Sequence, residues 1–161
     1  MIYSARAMVV IAAFSACASA APSTVAPPAL TRCTNSTDGN RDIALAFYEV
    51  ALIEKDVRFA FETFMTSGFI EHKPDVAGGT RENAILYLEG LMKNLPAARW
   101  EVLRSAADGN LVAVHARFRP APGAPEYAIA DFFRVENCRI VEHWDVVAPP
   151  TDKAINPNPR F

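Results

Sequence analysis

The stretch "IVEHWDVV" at residues 140–147 holds four side chains that could take part in chemistry: Glu142, His143, Trp144 and Asp145. A carboxylate and an imidazole that share a pocket can exchange protons near neutral pH. The apolar residues on both sides are typical of a β-strand, in which neighbouring side chains point to opposite faces. The four side chains therefore cannot all belong to one site, and the surrounding elements decide which of them do.

A two-residue periodicity predicts four strands in the second half of the chain, over residues 100–107, 111–119, 126–135 and 140–147. Asp108-Gly109 is a strong hairpin signal between the first two strands. Asn137-Cys138 fits a two-residue turn between the last two. Each of the four strands is therefore joined to one neighbour by a tight turn, and the strands of each such pair are expected to be antiparallel.

The Asn137-Cys138 turn predicts which residues of the last two strands oppose each other. Counting outward from it places Asp131 opposite Trp144 and Phe133 opposite Glu142, and directly opposed residues share a face. This assignment sends His143 and Asp145 to the reverse face, where they pair with Arg134 or meet a second copy of the chain. A one-residue bulge in either strand would change the assignment. The predicted pocket face carries Tyr127, Ile129, Asp131, Phe133, Glu142, Trp144 and Val146.

Helical periodicity dominates the first half of the chain. It predicts a first helix over residues 41–54, a second that carries Val57, Phe61 and Phe64 and ends at Gly68, and a third over residues 81–94. A short strand, Phe69 to His72, lies between the second and the third. Three helices followed by a meander predict an α+β fold, in which a curved, mostly antiparallel sheet carries the helices on its concave face. Such a cone can enclose a pocket between helices and sheet.

Three segments resemble the SnoaL-like branch of the nuclear transport factor 2-like superfamily: "FIEHKPDV", "AIADFFRVENCRIVEHWDVV" and the final "NPNPRF". The resemblance covers the chain from about Arg41 to its C-terminus, together with the order of elements. Members of this superfamily include polyketide cyclases, ketosteroid isomerases, dehydratases, epoxide hydrolases and proteins without catalytic activity. The resemblance therefore implies a fold and the place of a site, but no particular reaction.

The resemblance implies three candidate catalytic residues. Asp131 matches an aspartate that acts as an acid group at the reacting atoms, and an aspartate among apolar side chains can donate a hydrogen bond or take a proton near pH 7. His72 corresponds to the general base just before a proline, although one residue separates it from Pro74. His115 lies on a strand that carries a histidine in the related cyclases. Each has a structural alternative: a buried hydrogen bond for Asp131, a loop cap for His72 and the outer face for His115.

The functional prediction is a cofactor-free acid–base enzyme. A small apolar, carbonyl-bearing molecule would lose a proton next to its carbonyl group, in an isomerisation, a cyclisation or an aldol-type step. A non-catalytic binding or dimerisation module that holds an apolar ligand is the alternative. The predicted substrate-binding side chains are Trp144, Phe133, Tyr127, Ile129, Phe64 and Tyr87. The aromatic residues of the second helix, Phe64 among them, fit a core better than a ligand contact.

The N-terminal segment predicts export. One positive charge at Arg6, an apolar run and the A-x-A site Ala18-Ser19-Ala20 are typical of a signal peptide over residues 1–20, cleaved after Ala20. Residues 21–39 are predicted to form a flexible leader and residues 40–161 the domain, in a secreted or periplasmic protein. Lipidation at Cys17 and an uncleaved anchor are the alternatives. Asn35-Ser36-Thr37 is a glycosylation sequon if the host is eukaryotic.

Cleavage would leave two cysteines, Cys33 and Cys138, an even number in an oxidising compartment. A disulfide is predicted between them, and two free thiols are the alternative. Two cysteines without histidines at ligand spacing predict no metal site. Neither cysteine lies where a catalytic thiol belongs.

Charge and motifs limit the other partners. The net charge is −2, and there is no basic stripe, which argues against nucleic acid and, after cleavage, against a membrane. No phosphate-binding loop or dinucleotide-binding glycine pattern is present, so no cofactor is predicted. The expected partners are a small apolar molecule and a second copy of the chain, bound through the sheet.

Overall fold

The structure is a computed structural model that describes residues 33–151, 153–158 and 160–161. The predicted signal peptide over residues 1–20, Cys17 and the cleavage site after Ala20 lie outside the described residues. So does the predicted leader up to residue 32. No helix in the described ranges is long and apolar enough to cross a membrane.

Three helices form one layer of the fold, as predicted. They are α1 Thr37–Tyr48, α2 Val57–Phe64 and α3 Arg81–Asn94. Ser36 and Thr80 cap α1 and α3, because their side-chain oxygens accept hydrogen bonds from the backbone N–H groups of Gly39 and Asn83. Helix α1 begins four residues before its predicted start, and a π-helical turn, Glu49–Ile53, continues it.

The second layer is a five-stranded sheet. Its strands are β1 Met65–Glu71, β2 Arg99–Asp108, β3 Leu111–Arg119, β4 Tyr127–Glu136 and β5 Arg139–Ala148, in the order β1-β5-β4-β3-β2. Strand β1 runs parallel to β5, and the other neighbouring pairs are antiparallel. The predicted α+β architecture is confirmed. Gly68, predicted as a helix end, lies inside β1, because α2 stops at Phe64.

Aromatic side chains join the two layers. The ring of Phe47 in α1 lies edge-on to Phe61 at 5.1 Å between centroids and to Phe133 of β4 at 5.8 Å. Val112 and Val114 of β3 are fully buried beneath the helices. The inner face of the sheet is therefore the face that carries Phe133, as predicted for β4.

A disulfide fastens the start of the described chain to the β4–β5 turn. Asn137 and Cys138 have φ angles of 49° and 61°, which a two-residue type I′ turn requires. Cys138 is bonded to Cys33, and their Cα atoms lie 5.9 Å apart. Both the predicted turn and the predicted disulfide are confirmed.

A β-bulge reverses the predicted faces of β5. Val135 pairs with Ile140, but the preceding residue, Arg134, pairs with Glu142, so that Val141 is an extra residue. Beyond the bulge, Asp131 opposes Asp145 rather than Trp144. The residue opposite Phe133 is likewise His143 and not Glu142. The prediction that Glu142, Trp144 and Val146 face the pocket is wrong, and His143 and Asp145 face it instead.

Candidate active site

A cavity of about 390 Å³ lies between the helices and the inner face of the sheet. This volume is in the range of small-molecule sites. The apolar part of its lining consists of Phe47, Leu52, Phe61, Met65, Val76, Ala84, Leu88, Leu91, Trp100, Phe118, Ile129, Phe133 and Val147. Tyr48, Tyr87 and Tyr127 also line it. Two residues of the lining, Asp75 and Val147, are exposed to solvent.

Four of the six predicted substrate-binding residues line this cavity: Tyr127, Ile129, Phe133 and Tyr87. Their role with a substrate stays a prediction. Phe64 is fully buried in the core and is not a lining residue, because it lies in the last turn of α2 under β1. Trp144 points to the outer face of the sheet, a consequence of the bulge at Val141.

A buried histidine between two carboxylates forms the centre of the polar wall. The Nδ1 atom of His143 lies 2.9 Å and 3.0 Å from the two carboxylate oxygens of Glu71, and Nε2 lies 3.1 Å from Oδ1 of Asp131. Strand β1 supplies Glu71, because its parallel pairing with β5 sets Glu71 beside His143. The side chains of all three residues are at most 13% exposed.

The two carboxylates keep His143 positively charged. Burial by itself lowers the pKa of His143, but the hydrogen bonds and the charges of Asp131 and Glu71 outweigh it and raise that pKa to about 10. With both ring nitrogens bonded and a proton on each, the imidazolium can orient a carboxylate but cannot serve as a base near neutral pH.

Tyr48 completes this chain of hydrogen bonds from the helical layer. Its hydroxyl donates to Oδ2 of Asp131 at 2.9 Å. Burial, followed by the charge and the hydrogen bond of Asp131, raises the pKa of Tyr48 well above its ordinary value, so that it stays a donor. Each oxygen of Asp131 accepts one of these hydrogen bonds, and a carboxylate oxygen can accept a second. We call Glu71, His143, Asp131 and Tyr48 the acid–base chain.

A second polar pair lies on the same wall. The ammonium group of Lys73 is 2.6 Å from Oδ2 of Asp145, and both residues line the cavity. Burial lowers the pKa of Lys73, but the hydrogen bond and the charge of Asp145 raise it above its ordinary value, so Lys73 is charged. The Lys73 backbone N–H also donates to Oε1 of Glu71 at 2.9 Å, which ties this pair to the acid–base chain.

His72, predicted as the general base, lies on the outer face of the sheet. Its ring stacks on Trp144, with 4.7 Å between centroids, and its Nε2 lies 2.9 Å from Oε1 of Glu142. Its neighbour Glu71 faces inward, and successive residues of an extended chain point to opposite sides. His72 and Asp131 are therefore separated by the sheet, and the prediction that they act on one substrate is wrong.

His115 also faces away from the cavity. In β3, Val114 is the register partner of Asp131, whereas His115 pairs with Ala130 on the outer face. The His115 ring lies 6.3 Å from that of Phe161, whose chain end folds back over this face. The predicted catalytic role of His115 in the pocket is wrong, and the outer-face alternative describes it.

The sequence did not predict that five polar side chains would line the cavity: Glu71, Tyr48, Lys73, His143 and Asp145. Tyr48 had a recognisable signal, because it shares an apolar helical stripe with Ala44 and Ala51. The other four depend on the bulge and on the β1–β5 pairing, which have no local signal. Within the described ranges, no group of three or more His, Cys, Asp or Glu side chains is arranged to hold a metal ion.

Solved structures with the same fold come from several bacteria. IdmH from Streptomyces antibioticus, for which polyketide cyclase activity has been proposed, is 23% identical over 67% of this chain and 91% of its own, with a TM-score of 0.57. A protein from Jannaschia sp. CCS1 with the same proposed activity is 19% identical over 72% and 89%, with a TM-score of 0.58. A nuclear transport factor 2-like protein from Anabaena variabilis is 12% identical over 71% and 91%, with a TM-score of 0.60. At these identities the likeness establishes the fold alone.

No curated protein shows a significant sequence match to this chain. The model of the SnoaL-like domain matches residues 44–143, which is more than half of the chain and includes α2, α3, strands β1 to β4 and part of β5. The match contains all four residues of the acid–base chain, from Tyr48 to His143. The protein belongs to the SnoaL-like domain family, and its fold is that of the nuclear transport factor 2-like protein from Anabaena variabilis.

Proposed function

We propose that this protein is a cofactor-free acid–base enzyme that acts on a small apolar, carbonyl-bearing molecule in the cavity. The observation that carries the proposal is the acid–base chain, which places the buried carboxylate of Asp131 in the wall of an otherwise mainly apolar cavity. A buried carboxylate with a free lone pair can both take and return a proton.

Asp131 is the proton-transfer group of this proposal. Its carboxylate takes a proton from the carbon next to the carbonyl group, and the electron pair of the C–H bond moves to the carbonyl oxygen. Where a C=C double bond adjoins that carbon, it is conjugated with the enolate, and the protonated Asp131 returns the proton to the far carbon of this double bond, which is an isomerisation. Alternatively, the carbanion attacks a second carbonyl carbon of the same molecule, and Asp131 protonates the new alkoxide, which is an aldol-type cyclisation.

The rest of the acid–base chain orients Asp131. Glu71 fixes the ring of His143, and His143 and Tyr48 each hold one carboxylate oxygen of Asp131. These groups are in place before a ligand arrives, so little reorganisation accompanies the reaction. The aromatic lining excludes water and thereby strengthens the electrostatic interactions in the cavity.

Hydrogen–deuterium exchange tests the proposal without knowledge of the natural substrate. The probe is 2-tetralone, an apolar ketone, in deuterated buffer. We expect the protein to exchange the protons next to its carbonyl group faster than buffer alone does, and NMR measures the rate. Asp131→Asn keeps the shape of the side chain and should slow this exchange by about 10²–10⁴-fold. The matched control is Asp42→Asn, which changes an exposed carboxylate of α1.

Equal exchange by the wild-type protein and Asp131→Asn would contradict the role of Asp131. Binding of 2-tetralone without exchange above the rate in buffer would favour the non-catalytic binding module instead. If Asp131→Asn unfolds cooperatively at a temperature close to that of the wild-type protein, loss of the fold is excluded as the cause of a slow rate.

We also propose that the protein works outside the cytoplasm. The Cys33–Cys138 disulfide is stable in oxidising compartments and agrees with the predicted signal peptide. Ala21 as the first residue of protein recovered from the medium or the periplasm would support this, and an intact Met1 would contradict it. The homodimer through the sheet stays a prediction.

A further inference from the structure

The proposed chemistry leaves the ammonium group of Lys73 without a role, although it lies on the wall of the cavity. The Lys73 side chain is only 18% exposed, and Asp145 holds it at 2.6 Å. Asp75, the next nearest carboxylate, is 3.7 Å away and two-thirds exposed. An ammonium group has three N–H donors. After the bond to Asp145, donors remain for an oxygen atom of a ligand.

Lys73 borders the same part of the cavity as Asp131. Asp145, which holds the ammonium group, is the register partner of Asp131 on the neighbouring strand. Side chains of such a pair lie on one face, with Cβ atoms about 4.5–5.5 Å apart. The backbone of Lys73 is fixed as well, since its N–H donates to Glu71. The oxygen and the adjacent carbon of a carbonyl compound are two bonds apart, so one small molecule can contact both groups.

We propose that Lys73 binds the carbonyl oxygen of the ligand and is a catalytic residue. This inference rests on the proposed function. As the C–H bond breaks and its proton moves to Asp131, the electron pair forms an enolate whose oxygen accepts a hydrogen bond from the Lys73 ammonium group. The enolate oxygen carries more negative charge than the carbonyl oxygen, so the interaction is stronger after proton transfer than before. When Asp131 returns the proton, the neutral carbonyl is restored.

The charges of the wall define the class of ligand. Its carboxylates outnumber its cations: Glu71, Asp75, Asp131 and Asp145 against Lys73 and His143. A ligand that already carries a carboxylate would meet this excess of negative charge and is disfavoured. A neutral ketone, or a neutral phenol that resembles an enol, is not repelled. The Lys73 subsite therefore selects neutral oxygen compounds over carboxylic acids.

Binding of three matched aromatic probes tests the subsite. The probes are 2-naphthol, which carries an enol-like oxygen, naphthalene, which carries none, and 2-naphthoate, which carries a carboxylate. We expect the wild-type protein to bind 2-naphthol more tightly than the other two. Lys73→Met keeps the length of the side chain. It should weaken the binding of 2-naphthol by about 10- to 100-fold, while the affinity for naphthalene should change by less than about twofold. Lys93→Met, an exposed change in α3, is the control.

The variant Lys73→Arg shows whether weaker 2-naphthol binding in Lys73→Met comes from the lost charge or from a disturbed structure. It keeps the positive charge and N–H donors, so it should bind 2-naphthol more tightly than Lys73→Met. Unchanged 2-naphthol affinity in Lys73→Met would overturn the inference. So would a wild-type protein that binds 2-naphthoate as tightly as 2-naphthol, or equal losses for 2-naphthol and naphthalene in Lys73→Met.

The exchange and binding experiments can fail independently. If exchange of 2-tetralone needs Asp131 but 2-naphthol binding does not need Lys73, the proposed function stands and the subsite is wrong. If 2-naphthol binding needs Lys73 but no exchange occurs, the subsite is a binding site and the proposed enzyme is wrong. If exchange needs Asp131 and 2-naphthol binding needs Lys73, then Lys73→Met should also slow the exchange of 2-tetralone, and it should lower kcat more than it raises KM.

Discussion

His143 and His72 lie back to back across the same sheet, and each contacts a carboxylate at about the same distance, 2.9 Å. The inner histidine, His143, is 13% exposed and contacts a second carboxylate, whereas His72 is 38% exposed and stacks on Trp144. Distance alone therefore does not distinguish them. What differs is burial, since a charge that is removed from water depends entirely on its protein partners.

This difference in burial separates the inner polar group from the outer one. The inner network has little solvent to replace a lost partner, so Glu71 and Asp131 keep His143 protonated across neutral pH. On the outer face, hydrogen bonds from His72 and Arg134 lower the pKa of Glu142, but water is available to each member. The inner group can hold one charge state while a ligand reacts.

Substitution of each histidine by phenylalanine gives the largest expected contrast. His143→Phe leaves the carboxylates of Glu71 and Asp131 buried without their shared cation, and we expect the free energy of unfolding to fall by about 3–5 kcal/mol. His72→Phe removes an exposed pair and keeps the ring stack on Trp144, so the loss should be less than about 1 kcal/mol. Urea denaturation at pH 7 measures both, and equal losses would contradict the contrast.

The pH dependence of stability should follow His143. Its pKa in the folded protein, about 10, lies above the ordinary value of 6.5, so the folded state binds more protons between these values. The stabilisation from this proton is complete below pH 6.5 and is lost as the pH rises through about 10. The free energy of unfolding of the wild-type protein should therefore fall more steeply over this window than that of His143→Phe.

NMR gives the direct measurement of the same property. The Cε1–H signal of His143, assigned by its disappearance in His143→Phe, should keep its imidazolium position up to pH 8.5 and move only near pH 10. A midpoint near pH 7 would show that the two carboxylates do not hold the proton.

The sequence predicted the parts of this molecule that depend on local patterns. Helices α1 and α3, the Asn137-Cys138 turn and the inner face of β4 with Asp131 follow from periodicity and turn chemistry. The Cys33–Cys138 disulfide followed from the even cysteine count that the predicted signal-peptide cleavage would leave. These predictions need no knowledge of which distant segments are neighbours.

The inner and outer faces of β5 could not be predicted in this way. Apolar doublets stand at both ends of the stretch, Ile140-Val141 and Val146-Val147, so no residue in it is marked as the extra one. A single bulge exchanges every side chain beyond it between the two faces. The pairing of β1 with β5, which brings Glu71 to His143, joins segments 72 residues apart and has no local signal.

Deletion of Val141, the extra residue of the bulge, should have an intermediate effect on the free energy of unfolding, and it tests whether His143 still faces inward. Without Val141, Ile140 precedes Glu142 directly, and regular alternation still sends Glu142 outward and His143 inward. We expect the deletion of Val141 to cost about 0.5–3 kcal/mol and to leave the His143 signal at its imidazolium position at pH 8.5.

The matched deletion is Ala130 in β4, where pairing with β3 and β5 is regular. This deletion moves one half of the strand to the wrong face and should prevent folding. If the deletion of Val141 also removed the protonated His143 signal, the bulge would contribute more to the site than the choice of face.

His72→Gln should have the smallest effect, and it decides whether the outer face contributes to the proposed chemistry. Glutamine can still donate a hydrogen bond to Glu142, so the fold should be unaffected. Because the sheet lies between His72 and the cavity, we expect exchange of 2-tetralone to stay within about twofold of the wild-type rate, against the 10²–10⁴-fold loss in Asp131→Asn. The His72 backbone N–H donates to the His143 carbonyl at 3.0 Å, a contact that glutamine preserves. A tenfold slower exchange would therefore mean that the imidazole of His72 itself acts on the inner chain through the strand, and the separation of the two faces would be wrong.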